Sequence, residues 1–530
     1  MKVLITDKIN QAAGKILEGL AQVEFIPTLS EEELCEKIKG FDALMVRSQT
    51  KVTKKIIDAS DCLKIVGRAG VGVDNVDIEA ATQKGIIVVN SPDGNTNAAA
   101  EHTIAMMLAM SRNIPKAAES TKNGLWERSK FTGVEVFGKT LGIIGFGKIG
   151  SHVGKVALAL GMKVVVCDPY TSQDIIERFG AKYVKNLDEF WGQCDYITIH
   201  TPKTKETTSL INRNTLNRMK KGVRIINCAR GGIIDEVALK EAIESGQVAG
   251  AAIDVYENEP NIKESPLLNC EGNIVLTPHL GASTAEAQFN VAIDVATQIK
   301  EVLSGGSAKS AVNIPALKAD LIKPVQDYMQ ITENLGELVM QISKGNLKTI
   351  KISVSGNLSE LNVLPLEVAV QKGIFSSISD NVNFVNAQII AKNRGINVIT
   401  SKLQKDSTFL GSIEIKVITD EGEYSAVGAM ISEHMPRIVK INDYNTSIEA
   451  EENMLIVPHE NKPSMIAKVA TVIGENNINI NRMQVAQKST NNDNVSIMII
   501  NTDKDVDLLT LEKIDAIDGV NEACYIKLKG

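Results

Sequence analysis

Residues 141–168 read LGIIGFGKIGSHVGKVALALGMKVVVCD. An apolar run over 141–145 leads into Gly145-Phe146-Gly147-Lys148-Ile149-Gly150. A helical pattern follows over 149–160, closed by Gly161, and a second β-branched run ends in Asp168. The hexapeptide G-x-G-x-x-G is weak evidence alone. Set between a strand and a helix, with an acid 23 residues after Gly145, it reads as a dinucleotide-binding βαβ unit. Gly145 permits the tight turn. Gly147 lets the backbone approach a pyrophosphate at the helix N-terminus, and Gly150 allows close helix–strand packing. A carboxylate at Asp168 accepts hydrogen bonds from both ribose hydroxyls and repels a 2′-phosphate, so NAD is expected over NADP.

Downstream the βα series continues through YITIH (196–200), RIINC (224–228), AAIDV (251–255) and NIVLT (273–277). Three of these strands run into Arg230, Glu259 and His279. In an open parallel sheet, ligands sit beyond the carboxyl ends of the strands, so these residues are expected beside the glycine loop. Their chemistry fits an alcohol–ketone redox couple. A hydride leaves a C–OH carbon only if the hydroxyl proton leaves too, and imidazole suits that proton near neutral pH. A neighbouring carboxylate stabilises the imidazolium. The arginine fork grips a substrate carboxylate bidentately. His279 follows Pro278, which stiffens its approach. Of the other histidines, His102 and His152 read as packing or surface residues, His200 as support for the cofactor loop, and His434 carries no motif.

Upstream, short strands near 3–6, 23–26, 43–46, 64–67 and 86–89 alternate with helical patterns, which argues for a second parallel sheet. An apolar helix (98–112) connects the two series. A long helix (about 284–303) after His279 is expected to return to the first sheet. After NIP (313–315) the composition changes. A helix near 321–344 and a strand at 349–356 open a mixed segment, and residues 454–528 show a β-α-β-β-α-β order. The expected fold class is α/β: two Rossmann-like doubly wound domains, then a mixed α/β domain, then a ferredoxin-like domain. The expected boundaries are 1–97 plus 285–315, 98–284, 316–448 and 452–530.

With 530 residues, 44 % hydrophobic and 23 % charged, the chain suits three or four soluble domains. A net charge of −7 gives no footprint for nucleic acid or an anionic membrane. Seven scattered cysteines without a CxxC pair fit reduced thiols in a cytoplasmic protein, not a disulfide framework or a metal site. No leader or membrane span is expected.

LGIIGFGKIG, INCARGGIIDE, AAIDVYENEP and TPHLGAST together resemble the D-isomer-specific 2-hydroxyacid dehydrogenases. RSQTKVT (47–53), GRAGVGVDNVD (67–77) and WERSKFTG (126–133) resemble the branch that oxidises 3-phospho-D-glycerate. The resemblance implies Arg230, Glu259 and His279 as catalytic triad. It implies cofactor contacts at Lys148, Ile149, Asp168, Thr201, Cys228, Ala229, Arg230, Asp254, His279 and Gly281, beside the glycines of the loop. On the substrate side it implies Arg47, Gly70, Val71, Gly72 and Arg230. Val71 stands where some relatives have threonine. Arg47 is the first choice for the phosphate, with Arg68, Arg128, Lys130 and Lys139 as further candidates. The segment 452–530 is similar to an ACT domain, which implies an L-serine effector at His459, Asn461 and Asn479. Ser464 replaces the usual glycine there. A homodimer or homotetramer is implied. A hydroxypyruvate, glyoxylate or 2-oxoglutarate reductase, an NAD(H)-sensing corepressor, and an amino-acid sensor with a vestigial enzyme core are the alternatives.

Overall fold

The computed structural model describes residues 1–314, 319–379, 382–403, 409–432, 434–488 and 494–529; the expected boundary at 315–316 lies outside them. The first sheet holds β1 (Lys2–Ile5), β2 (Gln22–Phe25), β3 (Ala43–Val46), β4 (Ile65–Arg68) and β5 (Ile87–Asn90). All pairs are parallel, in the order β2-β1-β3-β4-β5. The central strand β3 is buried along its whole length, as a parallel sheet covered on both faces requires.

Helix α1 (Thr96–Ser111) buries Ala100, Met106, Met107 and Met110 against the second sheet. That sheet holds β6 (Thr140–Ile144), β7 (Lys163–Cys167), β8 (Lys182–Tyr183), β9 (Tyr196–Ile199), β10 (Val223–Asn227), β11 (Val248–Ile253) and β12 (Ile274–Leu276). It is parallel in the order β12-β11-β10-β9-β6-β7-β8. Strand order reverses around β6, and the glycine loop leaves β6 at this switch point. Helix α2 (Lys148–Ala159) follows the loop. Helix α3 (Ala285–Leu303) lies on the first sheet, where Val291, Val295 and Ile299 join Val3, Ile5 and Ile65 in one core. A Cβ on Gly67 of β4 would come within 2.4 Å of Val295, so the glycine sets how close α3 lies.

The single helix expected near 321–344 is broken. A short helix (Ala319–Ile322) and a 3-10 turn (Lys323–Val325) precede α4 (Gln326–Ile342). Pro324, in that turn, lacks the N–H a continuous helix would use. Strands β13 (Leu347–Gly356), β14 (Asn397–Leu403), β15 (Gly411–Thr419), β16 (Glu423–Ser432), β17 (Met435–Ile441) and β18 (Tyr444–Ile448) form a mixed sheet ordered β14-β13-β15-β16-β17-β18. Only β13–β14 is parallel. Helix α5 (Leu364–Ser376) crosses α4 at Gly336 and Gly373, where added Cβ atoms would lie 2.6 Å and 2.1 Å from backbone oxygens of the facing helix.

The fourth sheet holds β19 (Asn453–Glu460), β20 (Ile480–Gln487), β21 (Val495–Thr502) and β22 (Cys524–Lys527), all antiparallel, ordered β20-β21-β19-β22. Helices α6 (Met465–Glu475) and α7 (Leu508–Asp515) complete a βαββαβ unit. One face of this sheet is not separate from its neighbour. Met454, Ile456, Ile497, Ile499 and Ile526 share one core with Leu335, Ile350, Ile352 and Ile415. Gln341 of α4 seals the join. Its amide nitrogen donates to the Lys527 carbonyl at 3.0 Å, and its oxygen accepts from the Lys527 N–H at 3.0 Å.

Candidate active site

The glycine loop has the geometry its three glycines require. Gly145 is left-handed at φ 90°, and a Cβ there would meet the His200 carbonyl at 2.6 Å. A Cβ on Gly150 would lie 2.1 Å from the Gly145 carbonyl. The space around Gly147 is open, the room a ligand's phosphates need. Lys148 and Ile149 begin α2, and Lys148 forms an ion pair with Asp93 from the loop after β5. Thr201 follows β9, and its buried hydroxyl has no hydrogen-bond partner within the protein. Burial pushes His200 down to about 4, so it is neutral in the working range, beside the Thr198 hydroxyl at 3.0 Å. These features fit a bound dinucleotide: an open cradle, an unsatisfied hydroxyl and an acid on the next strand.

That acid is more engaged than the sequence suggests. Asp168 is 8 % exposed and accepts from the Phe146 N–H at 2.6 Å and from the Tyr170 and Thr171 N–H groups at 2.7 Å each. Burial raises its pKa, but the three amides outweigh burial and hold it below the ordinary carboxylate range. A carboxylate offers about four acceptor sites. Three of these sites are engaged by backbone N–H groups of the loop and the following turn, so the acid is fixed in place at the end of the strand.

At the other strand ends the structure brings Glu259 and His279 together. His279 Nδ1 lies 2.6 Å from Glu259 Oε2, and Glu259 Oε1 accepts from the Tyr256 N–H at 2.8 Å. The imidazole is half exposed, leaving Nε2 for a ligand. His279 has φ 56°, a left-handed backbone uncommon for any residue but glycine. Asp254, fully buried, holds that turn. It accepts from Thr277 Oγ1 at 2.6 Å, Leu280 N–H at 2.8 Å and Gly281 N–H at 2.9 Å, and its carbonyl accepts from the His279 N–H at 2.8 Å. Burial raises the Asp254 pKa, but His102, Thr277 and Leu280 together hold it low. Asp254, expected as a cofactor contact, also anchors the 277–281 turn. His102, expected as a packing or surface residue, lies with Nε2 3.2 Å from Asp254 Oδ1.

Arg230 follows β10 on a turn pinned by Asn227. The Asn227 oxygen accepts from the Ala229 N–H at 3.0 Å, and its amide donates to the Arg230 carbonyl at 3.0 Å. A Cβ on Gly231 would lie 1.7 Å from the Tyr256 carbonyl, so this turn presses against the loop that carries Glu259. Burial, then the charge of Asp254, pushes the Cys228 thiol up to about 12. The Arg230 guanidinium donates to the Ala229 carbonyl at 2.7 Å and lies 3.2 Å from Asp74 Oδ2, which comes from the first sheet's loops.

Those loops carry a second cationic group. Asp7 fixes the Arg47 turn by accepting from the Arg47 N–H at 2.7 Å, and Asn75 donates to the Arg47 carbonyl at 2.6 Å. Burial, then the charges of Arg230 and Arg47, pushes Arg68 down to about 10, and its buried Nε has no partner within the protein. Gly70 and Gly72 make room for these arginines. A Cβ would lie 1.6 Å from the Arg68 guanidinium at Gly70 and 2.1 Å from that of Arg230 at Gly72. The Val71 carbonyl accepts from the Asn90 amide at 2.6 Å. Arg230 and Arg47 thus lie near enough to Arg68 for their charges to act on it, with Asp74 and Asp7 as the opposing anions. Of the further phosphate candidates, Lys130 pairs with Glu127 and Lys139 lies near Asp195, while Arg128 heads a short 3-10 helix.

In the terminal unit the expected effector residues lie at strand ends, His459 and Asn461 at the end of β19 and Asn479 before β20. His459 lies inside β19. It is 3 % exposed, with Nδ1 3.1 Å from the Val457 carbonyl. The Asn461 N–H donates to the Asn494 carbonyl at 2.8 Å. Asn479 donates to Asp503 through its backbone at 2.9 Å and its side chain at 3.1 Å. Ser464 stands at the helix start with φ 74° and makes no side-chain cap, so it occupies a glycine-type position.

The sequence reading gave His102 a packing or surface role and passed over Asp74, Asn227 and Asp7. Asn227, directly before Cys228-Ala229-Arg230, was the most legible of them, because a polar residue closing an apolar strand commonly fixes the next turn. His102 and Asp74 meet their partners only through tertiary packing.

Residues 104–281 match the NAD-binding domain of the D-isomer specific 2-hydroxyacid dehydrogenases. Residues 324–442 match the D-3-phosphoglycerate dehydrogenase intervening domain, and residues 454–519 the ACT domain. The chain is 47 % identical to the D-3-phosphoglycerate dehydrogenase of Synechocystis sp., over 99 % of this chain and 95 % of that one. It is 42 % identical to that of Methanocaldococcus jannaschii, over 100 % of both chains. Among solved structures, the pyruvate reductase of Chlamydomonas reinhardtii superposes with TM-score 0.51 at 27 % identity, over 58 % of this chain and 98 % of that one, and D-lactate dehydrogenase of Aquifex aeolicus complexed with NAD and lactic acid with TM-score 0.51 at 29 % identity. The Aquifex match itself covers 57 % of this chain and 96 % of that one. The dinucleotide is therefore NAD, and the chain belongs to the D-isomer-specific 2-hydroxyacid dehydrogenase family, in its D-3-phosphoglycerate dehydrogenase branch with intervening and ACT domains.

Proposed function

We propose that this protein oxidises 3-phospho-D-glycerate to 3-phosphooxypyruvate with NAD, the entry reaction of phosphorylated serine synthesis. One observation carries the reading: the His279–Glu259 pair and the turn of Arg230 press together at the strand ends, and the charges of Arg230 and Arg47 reach Arg68. NAD bound along the glycine loop supplies the hydride acceptor, with Gly145, Gly147, Lys148, Ile149, Gly150, Asp168, Thr201 and Cys228 as its contacts. His279 Nε2 takes the hydroxyl proton as the C2 hydrogen departs. Glu259, on Nδ1, fixes the ring and stabilises the imidazolium. Arg230 grips the substrate carboxylate, displacing Asp74 from its fork, and Arg47 with Arg68 holds the phosphate. Gly70, Val71 and Gly72 line the substrate between them.

The domain division proposed from the sequence assigns substrate binding to 1–97 with 285–315, cofactor binding to 98–284, and regulation to 316–448 and 452–530. Exposed Ile114, Leu125, Trp126 and Phe137 support a homodimer or homotetramer. L-serine binding at the ACT domain, near Asn461 and Asn479, is supported by the domain match. Among the described residues no helix is long and apolar enough to cross a membrane; the proposed location is the cytoplasm. The test is NADH formation with 3-phosphoglycerate against a panel of 2-hydroxy acids, with NADP as control and L-serine, D-serine and glycine as effectors. A phosphate-free 2-hydroxy acid turned over faster than 3-phosphoglycerate overturns the substrate assignment.

A further inference from the structure

The turn that carries His279 hangs on Asp254, and three of the side-chain bonds to Asp254 come from that turn itself: Thr277, Leu280 and Gly281. A fourth contact comes from outside. His102, on α1, places Nε2 3.2 Å from Asp254 Oδ1 and 3.3 Å from Thr277 Oγ1. A fully buried carboxylate needs donors held by rigid surroundings, because its charge is costly to bury unpaired. The titratable side chains beside it are His102 from α1, Cys228 after β10 and Tyr256 after β11. Burial pushes both Cys228 and Tyr256 up to about 12, so neither competes for the charge. His102 is the one of the three that meets both Asp254 Oδ1 and the Thr277 hydroxyl that donates to it.

We infer that His102 is a positioning residue: through Asp254 it fixes the turn that aims the His279 imidazole at the substrate. The chain of contacts runs from His102 Nε2 to Asp254 Oδ1, from Asp254 to the Leu280 and Gly281 N–H groups, and from the Asp254 carbonyl to the His279 N–H. His279 holds a left-handed backbone at φ 56°, which persists only where its surroundings enforce it. Helix α1 is the enforcing element. Most of its length is buried, and Met106, Met107 and Met110 lock it to the second sheet. His102 Nε2, the Cys228 sulfur and an Asp254 oxygen also lie within 4.8 Å of one another, a spacing a divalent cation bridges. The Asp254 oxygens already accept from three donors, and the Cys228 thiol stays protonated, so the hydrogen-bonded arrangement is the better account.

The inference rests on the proposed dehydrogenase reading, and its test separates the two. Full-length wild type, His102→Leu, His102→Gln, His102→Asn, Asp254→Asn and the double variant His102→Leu/Asp254→Asn are assayed with 3-phosphoglycerate and NAD. His102→Leu is expected to lower kcat about 10–100-fold, the size of a hydrogen bond to a charged group expressed as rate. KM for NAD should hold within about twofold on the same reasoning, because the glycine loop is untouched. The solvent isotope effect on kcat should rise as proton transfer to a misaimed imidazole becomes limiting. His102→Gln presents a nitrogen at the same reach and should recover most of the rate, while the shorter His102→Asn should not. That comparison stands even if the leucine variant fails to fold. In the Asp254→Asn background, His102→Leu should cost little further. Wild-type kcat in His102→Leu, a parallel fall of kcat and thermal stability without rescue by glutamine, or activity restored by Zn²⁺ after chelation would each overturn the inference. A wild type inactive on 3-phosphoglycerate would overturn the substrate reading alone; the same variants are then compared on whichever 2-hydroxy acid turns over.

Discussion

His279 joins a strained backbone to a 2.6 Å contact with Glu259, so the proton-transferring group is both aimed and electrostatically supported. His279→Ala is expected to lower kcat by roughly 10²–10⁴-fold with NADH affinity nearly unchanged, measured by steady-state rates and fluorescence titration. Arg47→Ala should raise KM for 3-phosphoglycerate while hardly changing that for a phosphate-free 2-hydroxy acid. Equal losses on both would assign Arg47 to folding or the carboxylate. The acids set a pH limit. Asp168 and Asp254 are both held below the ordinary value of 3.8. Their contribution to stability is therefore full above that value and is lost as pH falls through their lower native values. Near-UV circular dichroism along an acid titration should show loss of native packing below about pH 4, and less steeply in Asp254→Asn. The strand-end residues were legible because parallel topology sends successive strand ends to one edge. His102 was not: its partner lies on β11's end, far along the chain, and an apolar helix pattern does not say what its polar residue meets.

Among the elements, the glycine loop shows how local sequence can dictate geometry. Gly150→Ala would push a methyl to 2.1 Å from the Gly145 carbonyl, so it should weaken NAD binding and lower the thermal midpoint together. Ser464 is the converse case. Held at φ 74° without a capping bond, it bears the steric cost of the left-handed region. Ser464→Gly should stabilise the ACT unit by about 1 kcal/mol, read as a shift in the denaturant midpoint. Most strands were readable from β-branched runs bounded by turns. The two-residue β8 was not, because so short a strand carries no pattern. The break before α4 was written in Pro324, whose missing N–H outweighs the helical periodicity around it.

At the scale of the whole molecule, the last two sheets share one core. The sequence shows two composition blocks; it does not show that Ile350 and Ile352 pack with Ile456 and Ile526, or that Gln341 bonds Lys527 across 186 residues. Pairings of that separation leave no periodic trace. A chain stopped after Glu451 should therefore expose the apolar face of the intervening unit, bind a hydrophobic dye and aggregate. A chain carrying both units should remain monodisperse by light scattering.

The shared core also has a timetable. Ribosomes add about 5–20 residues each second, so Ile526 emerges on the order of ten seconds after Ile350, the residue it must cover. Through that interval the nascent intervening sheet presents bare aliphatic surface to the cell. Conditions that slow elongation lengthen the exposure, and the yield of folded protein from this chain should track translation speed and chaperone supply more closely than the stability of either unit.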